Sequence, residues 1–217
     1  IINELAEHSI DEVWLPVGND FFNVENYDFA TTKGTPQDNV QHIAQVYREG
    51  LRDHSKMIAA LRQQAPVKVI SVPGNHATAK EQYLFESLAH HYQDAEDVEF
   101  LPGPVGDSDR SYLRYHNNTI GLAHGTLHPK KYAELFPYES KEHFGQTEHY
   151  EMLLGDKHHE KLYRDFIHQE FTGVTVSHLG AVTGTDRWHN RQGYCLAKKR
   201  AYILLYDKQN GRRTTIS

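Results

Sequence analysis

The 217-residue chain has the length of one ordinary domain, and its 38% hydrophobic and 24% charged residues are typical of a folded globular protein. No apolar run is long enough for a membrane-spanning helix, which excludes an integral helical membrane protein. The formal net charge of −6 disfavours general electrostatic adhesion to nucleic acid, although short basic clusters occur at 198–200 and 212–213.

Cysteine and histidine usage narrows the chemistry further. Cys195 is the single cysteine, so an intramolecular disulfide and a cysteine-based zinc site are both excluded, and we expect a cytoplasmic protein. The chain has 16 histidines against 2 methionines, and histidine is the commonest metal ligand and proton shuttle near neutral pH. Their positions therefore decide whether they carry function.

The first half of the chain predicts alternating strands and helices. In chain order we expect the end of a helix over 2–9, a strand over 12–17, a loop over 21–34, a helix over 35–64, a strand over 67–72 and a helix over 80–92. Thr35, followed by Pro36 and Asp38, is typical of a helix start. The order of these elements favours an α/β fold.

The second half predicts more strands. We expect strands over 112–116 and 119–123, a helix over 130–136, a strand over 151–154, and strands around 171–176 and 200–206 separated by a loop over 184–193. The sequence contains no repeat, low-complexity tract or linker. It therefore predicts one α/β domain over residues 1–217.

Four apolar strand-like runs are each followed at once by a glycine with Asp, Asn or His. The side chains delivered in this way are Asp20, Asn75, His76, His124, Asp156 and His158. Ligands of open α/β sheets bind at the carboxyl ends of strands, so we expect these side chains to converge. Taken singly, each cluster is more often an ordinary turn or helix cap. The ordered series of four favours a shared site.

The residue types indicate a metal site. Carboxylate, amide oxygen and imidazole together suit divalent Mn, Fe, Zn, Ni or Co. Two such ions held roughly 3.5–4 Å apart can clamp a phosphate ester and activate water.

The series resembles the calcineurin-like metallophosphoesterases, whose blocks run Asp-x-His, Gly-Asp-x-x-Asp, Gly-Asn-His-Asp/Glu, a strand-ending His, and Gly-His-x-His. The matching blocks here are Gly18-Asn19-Asp20 with Asn23, Val72-Pro73-Gly74-Asn75-His76, Gly121-Leu122-Ala123-His124-Gly125, and Gly155-Asp156-Lys157-His158. The block that ends at His76 is the most specific of these, and the resemblance covers residues 13–159. It implies a layered β-sandwich flanked by helices.

The resemblance also implies a role for each residue. Asp20 would bridge two divalent ions, Mn being preferred over Fe, Zn, Ni or Co. Asn75, His124 and Asp156 would complete one metal position, and His158 would belong to the other. His76 would stand beside the phosphate as the catalytic residue. Residues 18–23 and 31–38 resemble a bacteriophage and prophage branch of the family that is described as phosphoesterases or nucleases.

Three departures from the family pattern matter. The Asp-x-His block is absent, so we expect that the first strand of the fold is missing and that the second metal position is short of ligands. Asp156 stands where His is usual. Asn19 precedes Asp20, and Asn23 replaces the second Asp of its block. The protein-phosphatase form of the block is missing, which disfavours phosphoproteins as substrates.

A separate hypothesis concerns the loop 183–194. Arg187 and His189 flank Trp188, and arginine can hold phosphate while tryptophan can stack on a base. These residues therefore form a candidate substrate-binding segment. The alternative is a structural loop in which Trp188 is buried.

Three functions follow from these features. The first is a metal-dependent phosphodiesterase or nuclease that acts on DNA or nucleotides. The second is a phosphomonoesterase of small molecules, and the third is a binding module that keeps the fold without catalysis. No membrane partner is expected, and the sequence leaves the oligomeric state open.

Overall fold

The computed structural model describes residues 2–37, 42–101, 103, 109–155, 166–180, 182 and 200–217. The chain forms two compact units, Ile1–Asp109 and Arg110–Ser217. Both contain strands and helices, which confirms the predicted α/β class, whereas the single domain over 1–217 stays a prediction. No helix of the described ranges is long and apolar enough to cross a membrane.

The first unit begins with a short 3₁₀ helix and continues with alternating strands and helices. Its elements are the 3₁₀ helix Ile2–Glu7, β1 (Val13–Gly18), α1 (Ile43–Leu61), β2 (Val67–Val72), α2 (Thr78–His91) and β3 (Val98–Leu101). The three strands form a parallel sheet in the order β1-β2-β3.

The register of this sheet positions the loops that follow its strands. Val13 pairs with Val67 and Gly18 pairs with Val72, so β1 and β2 run in step over their full length. Val69 and Ile70 of β2 point to opposite faces of the sheet, and both are fully buried, as expected for a parallel strand covered on both faces. The loops that begin at Asn19 and Pro73 therefore leave the sheet side by side.

The predicted helix start at Thr35 is wrong. Helix α1 begins at Ile43, and its N-cap is His42, whose Nδ1 accepts the backbone N–H of Ala44 at 3.3 Å. Thr35 is held in a turn, since its N–H donates to Thr31 Oγ1 and its carbonyl accepts the N–H of Thr31. A local hydrogen-bonded turn has overridden the capping signal, and Asp38 lies outside the described residues.

The second unit contains a mixed sheet and a hairpin. Its elements are β4 (Arg110–Tyr115), β5 (Asn118–Ala123), α3 (Pro129–Glu139), β6 (His149–Leu154), β7 (Phe166–Phe171), β8 (Val174–Leu179), β9 (Ile203–Asp207) and β10 (Gly211–Ile216). The sheet has the order β4-β5-β6-β8-β7, in which β5, β6 and β8 are parallel and the outer strands antiparallel. Tyr132 and Phe136 of α3 belong to the same buried cluster as Met152 and Val176 of the sheet.

One predicted strand spans a turn. The expected strand over 171–176 is divided by Thr172 and Gly173, which both have positive φ, at 52° and 82°. Two consecutive residues of this kind are the signature of a tight hairpin turn, and β7 and β8 pair across it. The sequence prediction is wrong here because the apolar pattern continues through the turn.

A buried carboxylate links the β9–β10 hairpin to the sheet of the second unit. Glu151 on β6 accepts hydrogen bonds from Ser177 Oγ at 2.5 Å and Tyr206 Oη at 2.7 Å, and its Oε1 lies 2.9 Å from Arg212 Nη1. The Glu151 and Arg212 side chains are 9% and 15% exposed, so neither charge is well hydrated. Burial, and to a smaller extent the proximity of Glu151, raises the pKa of Tyr206 well above its ordinary value.

Breaking this pair should be costly. We expect Glu151→Gln to lower the free energy of unfolding by about 3 kcal/mol, because Arg212 would keep its charge in a partly dry site with a neutral neighbour. Urea denaturation measures the change. Glu134→Gln is the control, since Glu134 pairs with Lys131 on the exposed surface of α3 and should cost less than about 1 kcal/mol. Equal effects of the two substitutions would contradict the account of the hairpin contact.

Candidate metal centre

The loop after β1 turns back toward β2. Gly18, Asn19 and Asp20 all have positive φ, at 109°, 58° and 64°. Asparagine and aspartate tolerate this region better than other residues, and glycine adopts it freely. The N–H of Asn19 donates to Val72 O at 2.7 Å, which ties the turn to the end of β2. The run of left-handed residues brings the Asp20 side chain to the neighbouring loop.

Asp20 meets the loop after β2. Its Oδ1 accepts the backbone N–H of His76 at 2.8 Å, and its Oδ2 lies 3.9 Å from His76 Nε2. A Cβ at Gly74 would lie 2.9 Å from Asp20 Cγ and would overlap Oδ1. Packing therefore requires a glycine at position 74, because only a residue without a side chain lets the Asp20 loop approach the loop after β2 so closely.

Asn75 supplies an oxygen that suits a cation. Its Oδ1 is buried and has no hydrogen-bond partner among the described residues. A buried acceptor left in this state costs about 1–3 kcal/mol, unless a ligand compensates it. The Asp20 side chain, 11% exposed, belongs to the adjoining loop. A carboxylate and an amide oxygen are ligands that a divalent ion accepts, so the residues present fit the metal that the resemblance implies.

The described part of the chain does not contain a complete set of charged or imidazole ligands. Within those ranges no group of three or more His, Cys, Asp or Glu side chains is placed to hold a metal ion. Asn75 is an amide and falls outside that count. Asp20 and Asn75 thus form the part of the predicted metal site that the first unit provides.

His76 is oriented by Asn23. Its Nδ1 lies 3.2 Å from the carbonyl oxygen of Asn23 and 3.3 Å from Asn23 Oδ1, both of which are acceptors. Nδ1 therefore carries the hydrogen and donates it, which leaves Nε2 on the side of Asp20. The imidazole is 32% exposed, so a substrate can reach it. Asn23 therefore fixes the orientation of the His76 imidazole.

The sequence analysis did not identify Glu81, which holds both loops together. Its carboxylate accepts the N–H of Gly74 at 2.8 Å and the N–H of Phe22 at 3.4 Å, and Glu81 is 2% exposed. Acidic residues in the first turn of a helix are ordinarily exposed and favoured by the helix dipole. The sequence therefore carries no signal that this glutamate turns inward beneath the site.

Burial raises the pKa of Glu81 from 4.5 to about 7. The hydrogen bond from the Gly74 N–H lowers this pKa, and the negative charge of Asp20 raises it. Because the folded pKa of Glu81 is above the unfolded one, this group costs no stability below about pH 4.5, where it is neutral in both states. Stability is lost as the pH rises through about 7, by roughly 3 kcal/mol from this group. We expect Glu81→Gln, measured in metal-free buffer by urea denaturation at pH 5 and pH 8, to remove that loss.

Glu86→Gln serves as the control, because Glu86 is exposed on the same helix and hydrogen-bonded to Gln82. It should leave the difference between the two pH values as in the wild type. If Glu81→Gln does the same, Glu81 does not titrate in the folded protein as described.

His124 belongs to the second unit. It follows the last residue of β5 and is 2% exposed. The ends of β5 and β6 lie together, since a Cβ at Gly125 would be 2.7 Å from the carbonyl oxygen of Gly155. The structure thus places His124 and the residue that precedes Asp156 at adjacent ends of parallel strands. Within the unit, this agrees with the expected pairing of strand ends.

The remaining predicted site residues lie outside the described residues. They are Asp156, His158, Arg187 and His189. Their assignments as metal ligands and substrate-binding residues stay predictions.

Comparison with known proteins adds no relative to this picture. No family model, no curated protein and no solved structure matches the chain. The site is therefore defined by its own geometry: Asp20, Asn75 and His76 at the adjacent ends of β1 and β2.

Proposed function

We propose that the protein is a metal-dependent phosphoesterase of the calcineurin-like type, with a layered β-sandwich fold. The observation that carries the proposal is the contact between two loops at adjacent strand ends, in which His76 N–H donates to Asp20 Oδ1 at 2.8 Å. This contact sets a carboxylate, a buried amide oxygen and an accessible imidazole side by side. Phosphoester hydrolysis needs these three kinds of group.

Asp20 and Asn75 would hold the metal, and the resemblance adds His124, Asp156 and His158 as further ligands. The proposed cofactor is a pair of divalent ions, with Mn preferred over Fe, Zn, Ni or Co. When bound, such ions supply charge stabilisation of the phosphate and a nucleophile at neutral pH.

His76 acts on the substrate through its Nε2. Asn23 accepts the hydrogen of Nδ1, so the ring presents Nε2 next to Asp20. A protonated Nε2 can donate to the leaving oxygen or to a phosphate oxygen as negative charge develops. The Asp20 carboxylate lies 3.9 Å from this nitrogen, so the phosphate oxygen that accepts the proton would stand beside the proposed metal ligand.

The more specific proposal is a phosphodiesterase or nuclease acting on DNA or nucleotides. The loop that carries Asp20 also exposes the aromatic side chains of Phe21, Tyr27 and Phe29. Exposed aromatic rings next to a phosphate site can stack on bases without sequence preference. A small-molecule phosphomonoesterase and a binding module without catalysis are the alternatives.

Hydrolysis assays test the proposal. With Mn²⁺, the purified protein should hydrolyse bis-p-nitrophenyl phosphate and single-stranded DNA faster than p-nitrophenyl phosphate, and chelation should abolish the reaction. Preference for p-nitrophenyl phosphate would favour the phosphomonoesterase. Absence of hydrolysis with all three substrates would contradict the enzyme and favour the binding module.

A further inference from the structure

We propose that the turn over residues 31–35 forms a phosphate-binding pocket beside His76, in which Lys33 is the cation that recognises a phosphate of the substrate. This deepens the proposed function and rests on it for its catalytic meaning. The sequence carries no motif for this pocket, because residues 21–34 have the polar, aperiodic pattern of a loop.

The pocket is a small cavity between the turn and the loop 73–77 after β2, which carries His76 and is called the reactive loop below. It has a volume of about 120 Å³ and is lined by Thr31, Lys33, Thr35, Gln37, Asn75 and His76. A cavity of this size can admit one phosphate group.

The lining has the chemistry of an anion site. Among the described residues that line the cavity, Lys33 is the one formally charged side chain besides the imidazole of His76, and none is a carboxylate. Lys33 is exposed and makes no ion pair with any residue in the described ranges. Lysine offers three hydrogen-bond donors and binds phosphate as a point charge. The hydroxyl groups of Thr31 and Thr35 add further donors.

The turn is held rigidly before any ligand arrives. Gly34 has a φ of +83°, and its N–H donates to Thr31 O at 2.8 Å. The N–H of Thr35 donates to Thr31 Oγ1 at 3.1 Å. These bonds close the backbone around Lys33, so little backbone entropy remains to be lost when the pocket binds a ligand.

The turn is also fixed to the reactive loop. The N–H of Thr32 donates to the carbonyl oxygen of His76 at 2.8 Å, and the N–H of Thr78 donates to Thr32 Oγ1 at 3.0 Å. Lys33 thus belongs to a segment bonded directly to the backbone of His76. A phosphate bound by Lys33 would be positioned against the imidazole.

The direct test measures binding of inorganic phosphate without hydrolysis. In metal-free buffer, isothermal titration of phosphate into the wild type, Lys33→Ala, Lys33→Arg and Lys56→Ala compares the four proteins. We expect Lys33→Ala to weaken binding by about tenfold and Lys33→Arg to restore most of it, because a charge-assisted hydrogen bond is lost and regained. Lys56, exposed on α1, is the matched control and should leave phosphate binding unchanged. Equal phosphate affinity in wild type and Lys33→Ala would overturn the pocket.

Kinetics separate this pocket from the proposed function. With Mn²⁺, Lys33→Ala should raise KM about tenfold and change kcat by less than about threefold, since the contact binds substrate without taking part in the chemical step. A rise on both bis-p-nitrophenyl phosphate and a 5′-phosphorylated thymidine dinucleotide, which carries a second phosphate, assigns Lys33 to the scissile phosphate. A rise on the dinucleotide alone assigns it to the neighbouring phosphate.

The two failures are distinguishable. If the wild type binds phosphate in a Lys33-dependent way but hydrolyses nothing, the pocket stands and the phosphoesterase proposal fails. If the wild type hydrolyses its substrates and Lys33→Ala has wild-type KM and phosphate affinity, the phosphoesterase stands and the pocket fails.

Discussion

Replacing His76 by glutamine is expected to lower kcat by about 10²–10⁴-fold while leaving Mn²⁺ affinity within about threefold of the wild type. Glutamine cannot transfer a proton at neutral pH, and the ring nitrogen next to Asp20, Nε2, would be lost. The groups of Asp20 and Asn75 that we propose to bind the metal are untouched by the change. Steady-state kinetics with bis-p-nitrophenyl phosphate and a Mn²⁺ titration measure the two quantities.

His90→Gln is the matched control for this experiment, because His90 is exposed near the end of α2. Its kcat should equal that of the wild type. A His76→Gln protein that retains wild-type kcat would show that His76 is not the catalytic group.

Gly74→Ala is expected to weaken Mn²⁺ binding by at least about tenfold and to lower the free energy of unfolding by about 2–3 kcal/mol. The added methyl group would overlap the carboxylate oxygen and the backbone nitrogen of Asp20, so one of the two loops has to move. Mn²⁺ titration and urea denaturation of the variant measure both effects.

The control for the packing account is Gly145→Ala. Gly145 has a φ of +83° but nothing lies within 4 Å of its Cβ position, so alanine there meets backbone strain without a clash. We expect about 1 kcal/mol of destabilisation and unchanged Mn²⁺ affinity. If Gly74→Ala behaves like Gly145→Ala, the close approach of the two loops is not required for metal binding.

The sequence predicted the strands that carry the site, because their composition is strongly biased. The β-branched run of β2 ends at Pro73 and Gly74, and the apolar run of β1 ends at Gly18. These interruptions predicted where Asp20 and Asn75 leave the sheet. The register of β1 and β2 then brings the two loops together, as expected for parallel neighbours.

Features that depend on particular hydrogen bonds were missed or predicted wrongly. The capping signal at Thr35 is cancelled by a local turn with Thr31, four residues earlier, and the residue that caps α1 is His42. Glu81 turns inward to accept N–H groups from two loops, one of them 59 residues earlier in the chain. Local propensity cannot report such pairings, because their free energy comes from groups that only the fold brings together.

Isothermal titration of Mn²⁺ into the wild type and into Asp20→Asn tests most directly whether a metal centre lies at the end of β1. The account predicts that the wild type binds Mn²⁺ and that the variant, whose side chain keeps its size but loses its charge, binds at least about tenfold more weakly. Asp53→Asn, on the exposed surface of α1, should bind as the wild type does. Equal Mn²⁺ affinity in the wild type and Asp20→Asn would contradict a metal centre at the end of β1.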